Sequence, residues 1–151
     1  QYQTISASMS VGLLAEEGGV KQRDGWYSFN RYFNKLASPK SIGEEAARRY
    51  LCRLGYRILA YNARIGVHDE IDVIALDPAD NVLVFAEVKT RSKDDPDYRP
   101  DLNITLAKRT AISRAARQWV AEHEWQGGYR LDAVFVTAGQ VKEHIREIDW
   151  S

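Results

Sequence analysis

From Glu70 to Arg91 the chain reads EIDVIALDPADNVLVFAEVKTR, two runs of Ile, Val, Leu and Phe on either side of the turn DPADN. Apolar runs of this length, broken by a turn rich in Asp, Asn and Pro, predict two neighbouring buried strands. This hairpin constrains the fold more than any other stretch. It also carries a contradiction. Asp72 interrupts the first strand, and Glu87 and Lys89 interrupt the second. Burying a charge costs several kcal/mol, on the order of a whole domain's stability, unless a partner meets it. The three residues therefore need a reason to be there.

The rest of the chain builds an α/β domain around the hairpin. Ile42, Ala46, Tyr50 and Leu54 recur at helical spacing with Ala47 and Leu51, which predicts an amphipathic helix over Ser41–Leu54, closed by Gly55 at its C′ position. Tyr56–Arg64 reads as a strand and Gly66–Asp69 as a turn. The hairpin strands are Glu70–Leu76 and Val82–Thr90. A polar loop with two prolines, Arg91–Asp101, precedes a second helix over Thr105–Glu124. That helix has Ala111, Ile112, Ala115, Ala116, Trp119 and Val120 as its inner face, with Gly127 and Gly128 to break it. Leu131–Thr137 and Val141–Ile148 read as strands, the latter at an edge. One helix, three strands, a helix and two strands imply a mixed five-stranded sheet flanked by helices. Residues 1–40 show no clear periodicity and read as an N-terminal extension of uncertain structure. Within them, Trp26–Pro39 mixes aromatics with Arg31 and Lys35, a pattern that suits packing on a domain or stacking on nucleic-acid bases.

Charge is distributed unevenly although the net charge is zero. Lys40–Arg64 holds six Lys or Arg against Glu44 and Glu45, and Asn103–Val120 holds four with no acid. Ile65–Val88 holds six acids with no Lys or Arg. Two basic helical segments flanking an acidic centre suit a metal-dependent enzyme acting on a polyanion, and equally suit ordinary solvated helix faces. With a single cysteine, Cys52, and three histidines, an internal disulfide and a cysteine-based zinc cluster are excluded. A metal would be held by oxygen, which favours Mg²⁺, Mn²⁺ or Ca²⁺ over zinc. No window reaches eighteen apolar residues and no basic stretch leads into an apolar core, so the expectation is a cytoplasmic protein without a membrane span.

Strand alternation turns Glu87 and Lys89 to one side, and antiparallel pairing can set Asp72 beside Glu87 at a Cβ separation of roughly 5 Å. Two carboxylates that close repel unless a cation lies between them. A hard cation there would polarise a phosphate and lower the pKa of a water nucleophile, with Lys89 touching the phosphate. An ion pair of Lys89 with Glu87 or Asp72 would satisfy the same charges without any chemistry.

EIDVIA, then VFAEVKTR, then a helix opening near Lys108, together with GEEAARRYLCRLGYRILAYNAR, resembles the bacterial YraN family (UPF0102). The resemblance covers roughly Ile42 to Ile148. It places residues 41–151 in an endonuclease-like domain of the PD-(D/E)xK, or restriction-endonuclease-like, superfamily, related to archaeal Holliday-junction resolvases. It implies a metal-dependent nuclease on DNA, branched or flapped DNA included. Asp72, Glu87 and Glu44 would be the metal ligands, and Lys89 the catalytic lysine beside them. Lys108, Arg109, Arg91, Arg114 and Arg48 would meet the phosphate backbone. Ser41-Ile42-Gly43-Glu44 also has the form of a capping box, which gives Glu44 a structural role of its own. The chain departs from the family's usual Gly-Gly-Glu-Ile-Asp, having Val67-His68-Asp69-Glu70-Ile71-Asp72 instead. His68 is placed to act on a leaving group or simply to be solvated. Two further readings stay open: a nucleic-acid-binding module of the same fold with a silent site, and a protein-interaction domain, including a homodimer.

Overall fold

The computed structural model describes residues 19–22, 25–28, 41–91 and 104–148. The polar tract up to Gly18, the aromatic and basic stretch beyond Ser28 and the loop after Arg91 lie outside the described residues. The described residues fall into two units, one within Gln1–Leu36 and one within Ala37–Ser151. In the first, β1 (Gly19–Gln22) and β2 (Gly25–Ser28) form an antiparallel pair with Gly19 opposite Ser28.

The second unit opens with α1 (Ile42–Arg53). Ser41 caps it, its Oγ accepting from the Glu44 N–H at 3.2 Å, and Glu44 and Glu45 in the first turn suit the positive end of the helix dipole. Gly55, at φ 87°, closes it. The Gly55 N–H reaches the Cys52 carbonyl (2.9 Å) and the Tyr56 N–H the Leu51 carbonyl (3.0 Å), both bonds of a Schellman motif. Because Tyr56 spends its N–H on the cap, β3 begins at Arg57 and runs to Ile65. Next come β4 (Asp69–Asp77) and β5 (Val82–Arg91), the hairpin expected from the sequence. α2 (Leu106–Glu122) crosses over to β6 (Tyr129–Thr137), and β7 (Gln140–Ile145) ends the unit.

The sheet order is β3-β4-β5-β6-β7, with β5 and β6 parallel and the other neighbours antiparallel. This is the mixed five-stranded α/β architecture expected of a restriction-endonuclease-like domain. The parallel pair exists because the α2 crossover returns the chain to the same end of the sheet. On one side of the sheet Leu51 and Tyr56 pack with Ile58, Val73, Ala75, Val84 and Ala86, while Ala47 meets Val134 and Val136. On the other, Phe85 meets Trp119 of α2 edge-on, with ring centroids 5.7 Å apart. Gly43 lets α1 approach β5 closely. A Cβ on it would stand 1.9 Å from Thr90 Oγ1 and 3.1 Å from both Cβ and Cγ2, so turning the threonine would not relieve the clash.

Most boundaries shift by one or two residues from the sequence expectation, and two of the differences have a specific cause. α2 is ended not by Gly127 and Gly128 but by Glu124, which takes the left-handed conformation (φ 51°) that glycine usually supplies. The Trp125 N–H then reaches Val120 O and the Glu124 N–H reaches Ala121 O. β7 stops at Ile145 rather than Ile148, because the Glu147 N–H turns to the Asp132 carboxylate and Ile148 bonds back to Leu131 O.

Candidate functional site

The β4–β5 ladder ends at Val73 opposite Ala86. One residue beyond, Asp72 stands level with Glu87. There the Asp72 side chain takes over from the ladder, its Oδ2 accepting from the Val88 N–H at 2.8 Å. β5 itself continues along β6 as far as Arg91 opposite Thr137. The two carboxyl groups thus lie where two strands part while the third still supports one of them.

The Glu87 side chain is only 4% exposed, and two ammonium groups reach it. Lys89 Nζ lies 3.3 Å from Oε1, as expected for residues two apart on a strand. Lys108 Nζ lies 3.3 Å from Oε2. Thr105 sets this up by capping α2, its Oγ1 accepting from the Lys108 N–H at 3.2 Å, so that the first turn presents Lys108 to β5. The Lys108 contact is Coulombic only. No N–H donor is aligned on Glu87 Oε2, and the hydrogen the two carboxyl groups share is the one Asp72 holds. Burial, then the Glu87 charge, pushes the Asp72 carboxyl up to about 7, against the pull of the Val88 N–H and Lys108.

Those features bear on whether a divalent cation fits. All donors at the pair are oxygens, which suits a hard ion. Two buried carboxyl groups this close, one of them driven to hold a proton, repel each other, and a cation between them would relieve that. Among the described residues no group of three or more His, Cys, Asp or Glu is close enough to hold an ion. A pair is nonetheless sufficient for Mg²⁺, which commonly takes one or two carboxylates and fills its other positions with water and phosphate oxygen. The residues fit Mg²⁺ or Mn²⁺ on that footing.

The other residues singled out from sequence are distributed unevenly. Glu44 is not gathered into one group with Asp72 and Glu87; its Oε2 accepts from Asn62 Nδ2 at 3.1 Å. Arg48 is engaged by Glu45 through two 2.7 Å bonds, and those bonds with Arg48 and Arg49 hold the Glu45 carboxyl down at about 2. Arg114 grips Asp69 through bonds of 2.8 and 2.7 Å, lowering the Asp69 pKa. The unusual acid before the first motif is thereby explained as a tie from α2 to β4. Arg109 Nε donates to Ile104 O at 3.0 Å. Arg91 closes β5, half-buried, and His68 is exposed in the β3–β4 turn.

A second buried charged cluster escaped the sequence reading. Asp132, wholly buried on β6, accepts from Arg130 Nε (3.0 Å), His144 Nε2 (2.8 Å) and the Glu147 N–H (3.0 Å). Arg130 also donates to Asp77 (2.9 Å) and to the Tyr56 hydroxyl (2.6 Å), and Tyr50 OH stands 3.3 Å from His144 Nδ1. Burial would raise the Asp77 pKa, but the Ala79 N–H, Arg130 and Tyr56 outweigh it and lower it. The available signal was Asp132 itself, a charge inside the apolar strand LDAVFVT. Asp132 and Asp77 have donors on both oxygens, whereas Glu87 does not. Saturation of both oxygens marks Asp132 and Asp77 as structural staples.

Residues 43–136 match the family described as "Uncharacterised protein family UPF0102". The chain is 45% identical over 97 residues to a UPF0102 protein of Oleidesulfovibrio alaskensis, a match that covers 64% of this chain and 46% of that relative, so it spans less than half of that protein's length. It is 38% identical to a UPF0102 protein of Pelobacter propionicus, over 66% of this chain and 71% of the relative. It is 33% identical to one of Cytophaga hutchinsonii, over 70% of this chain and 90% of the relative.

Proposed function

This chain belongs to the UPF0102 family, and we propose that it is a metal-dependent nuclease of the PD-(D/E)xK type that hydrolyses DNA phosphodiester bonds, branched or flapped DNA among its substrates. The observation that carries the reading is the buried Glu87 carboxylate level with a proton-holding Asp72, with Lys89 and Lys108 each 3.3 Å from Glu87.

Asp72 and Glu87 would hold Mg²⁺ or Mn²⁺. The bound ion would supply charge for the phosphate and acidify a water. Everything else falls to the chain's own groups. With Asp72 protonated, one carboxylate faces two ammonium groups, and this net positive balance draws a phosphate to the pair. Once the carboxylates have a cation, Lys89 and Lys108 no longer need Glu87. Lys89, aligned with Glu87 by the strand, is placed to touch the scissile phosphate or the attacking water. Lys108, in the first turn of α2, is poorly placed for the helix dipole, and a phosphate contact compensates for that. Val88 keeps Asp72 in place through its N–H. Arg91 and Arg109 would add backbone contacts. Arg48 and Arg114 would contribute only by leaving Glu45 and Asp69.

Cleavage of flapped and four-way DNA with Mn²⁺ tests this, in wild type and in Asp72→Ala and Glu87→Ala proteins whose fold is checked by circular dichroism. The expected result is cutting by wild type and a loss of at least about a hundredfold in each folded variant. Cutting that persists in both would sink the reading. A module of the same fold that binds nucleic acid without cutting it is the alternative, favoured by the two lysines already being paired to Glu87. It would show salt-dependent binding and no turnover.

A further inference from the structure

The Asn62 side chain joins the Glu44 carboxylate of α1 to β3, the strand beside the one that carries Asp72. It lies on β3 between Tyr61, opposite Val73, and Ala63, opposite Ile71, which sets it across from Asp72. Asp72 in turn is level with Glu87, one residue past Val73 and Ala86. Asn62, Asp72 and Glu87 thus occupy one line across three strands. Asn62 holds a left-handed backbone (φ 46°), an uncommon state for a non-glycine residue inside a strand. Its amide orientation follows from its partner. An ionised carboxylate only accepts, so Nδ2 faces Glu44 at 3.1 Å and Oδ1 is turned away. That Oδ1 is buried and has no hydrogen-bond donor.

At the other end of the line, Glu87 Oε2 has no backbone, amide or ammonium donor. Both oxygens are acceptors, so both suit a donor of the same kind. A hydrated divalent cation brings such donors, because Mg²⁺ dehydrates reluctantly and keeps several waters. Resting on the metal-dependent reading above, we propose that Asn62 is a positioning residue of the cation site. Its Nδ2 steers Glu44, and its Oδ1 accepts from a water of the ion's shell. Glu44 then acts through Asn62 and the water shell and does not touch the ion. This accounts for a first-turn glutamate that stays out of the carboxylate pair. Groups that orient a metal's ligands from outside are worth about ten- to a hundredfold in affinity.

The test is Mn²⁺ titration by calorimetry on wild type, Asn62→Gly, Glu44→Ala and the double variant, with thermal midpoints of the metal-free proteins in parallel. Glycine removes the amide and accepts φ 46° without strain, so it is the clean substitution. The expected result is a loss of about tenfold in Mn²⁺ affinity in each single variant and no further loss in the double, with the metal-free midpoint of Asn62→Gly unchanged or raised. Wild-type uptake with unaltered affinity in Asn62→Gly would overturn this inference alone. So would losses that add in the double variant, or a lowered midpoint with unaltered affinity. Should Asn62→Gly fail to fold, Glu44→Ala decides: unaltered affinity there overturns the inference as well. No uptake by wild type would overturn the metal-dependent reading and this inference with it.

Discussion

Asp72 shows at the scale of one residue what a buried pair of carboxyl groups costs the fold. An unfolded aspartate titrates near about 4, and burial beside Glu87 moves Asp72 up to about 7. Between those values the folded state holds the proton and the unfolded state has released it. Stability therefore falls as pH rises through that window, and the full penalty is present above it. Asp72→Asn would keep an acceptor for the Val88 N–H and offer an amide donor to Glu87. We expect it to raise stability at neutral pH by roughly 1–2 kcal/mol and to flatten the dependence, as measured by urea unfolding at about pH 5 and about pH 8. A variant less stable than wild type at the higher pH would contradict this. The sequence made Asp72, Glu87 and Lys89 legible because charges stand out in apolar strands. The same signature at Asp132 marks a staple instead, and only the hydrogen-bond partners of each oxygen, which no spacing encodes, tell the two apart. Asn62 carried no signal, since an asparagine within a strand shows nothing of its role until its partners are known.

At the scale of the element, boundaries were legible where a residue type has one conformational reason to be used. Ser41 and Gly55 delimit α1 as capping chemistry requires, and the hairpin ends follow the DPADN turn. The end of α2 was not legible, because Glu124 adopts a conformation its side chain does not favour. Glu124→Gly should relieve that strain and raise stability by about 1 kcal/mol, read from the thermal midpoint; an unchanged or lower midpoint would count against it. The opposite holds at the start of α1. Gly43→Ala forces a methyl into Thr90 and should cost about 1–3 kcal/mol while lifting the helix from β5, to be seen as lost amide protection in α1 by hydrogen exchange. Full protection in a stable variant would show that α1 tolerates a larger separation.

Across the molecule, the zero net charge and its segregation gave a footprint that the structure redistributes. The basic residues of the two helical segments are not all available to a polyanion, since Glu45 holds Arg48 and Asp69 holds Arg114. The buried Asp77–Arg130–Asp132–His144 cluster ties β4, β6 and β7 together, so Asp132→Ala should strip Arg130 Nε, His144 Nε2 and the Glu147 N–H of their shared acceptor and cost about 3–5 kcal/mol in urea unfolding. A cost below about 1 kcal/mol would mean that water replaces the carboxylate there. No helix among the described residues is long and apolar enough to cross a membrane. The five-stranded sheet and its order were legible because element order, a short hairpin turn and a helical crossover leave few topologies; which carboxylates converge was legible only in part, because that depends on where a ladder ends.

The most direct measurement is a calorimetric titration of Mn²⁺ into wild type and Glu87→Gln at about pH 6 and about pH 8, since an ion at the pair must displace the proton on Asp72. The account predicts binding by wild type that tightens from the lower pH to the higher, and none by Glu87→Gln at either. Equal binding by both proteins, or no binding by wild type at about pH 8, where Asp72 is mostly ionised, would contradict the claim that this pair is a cation site.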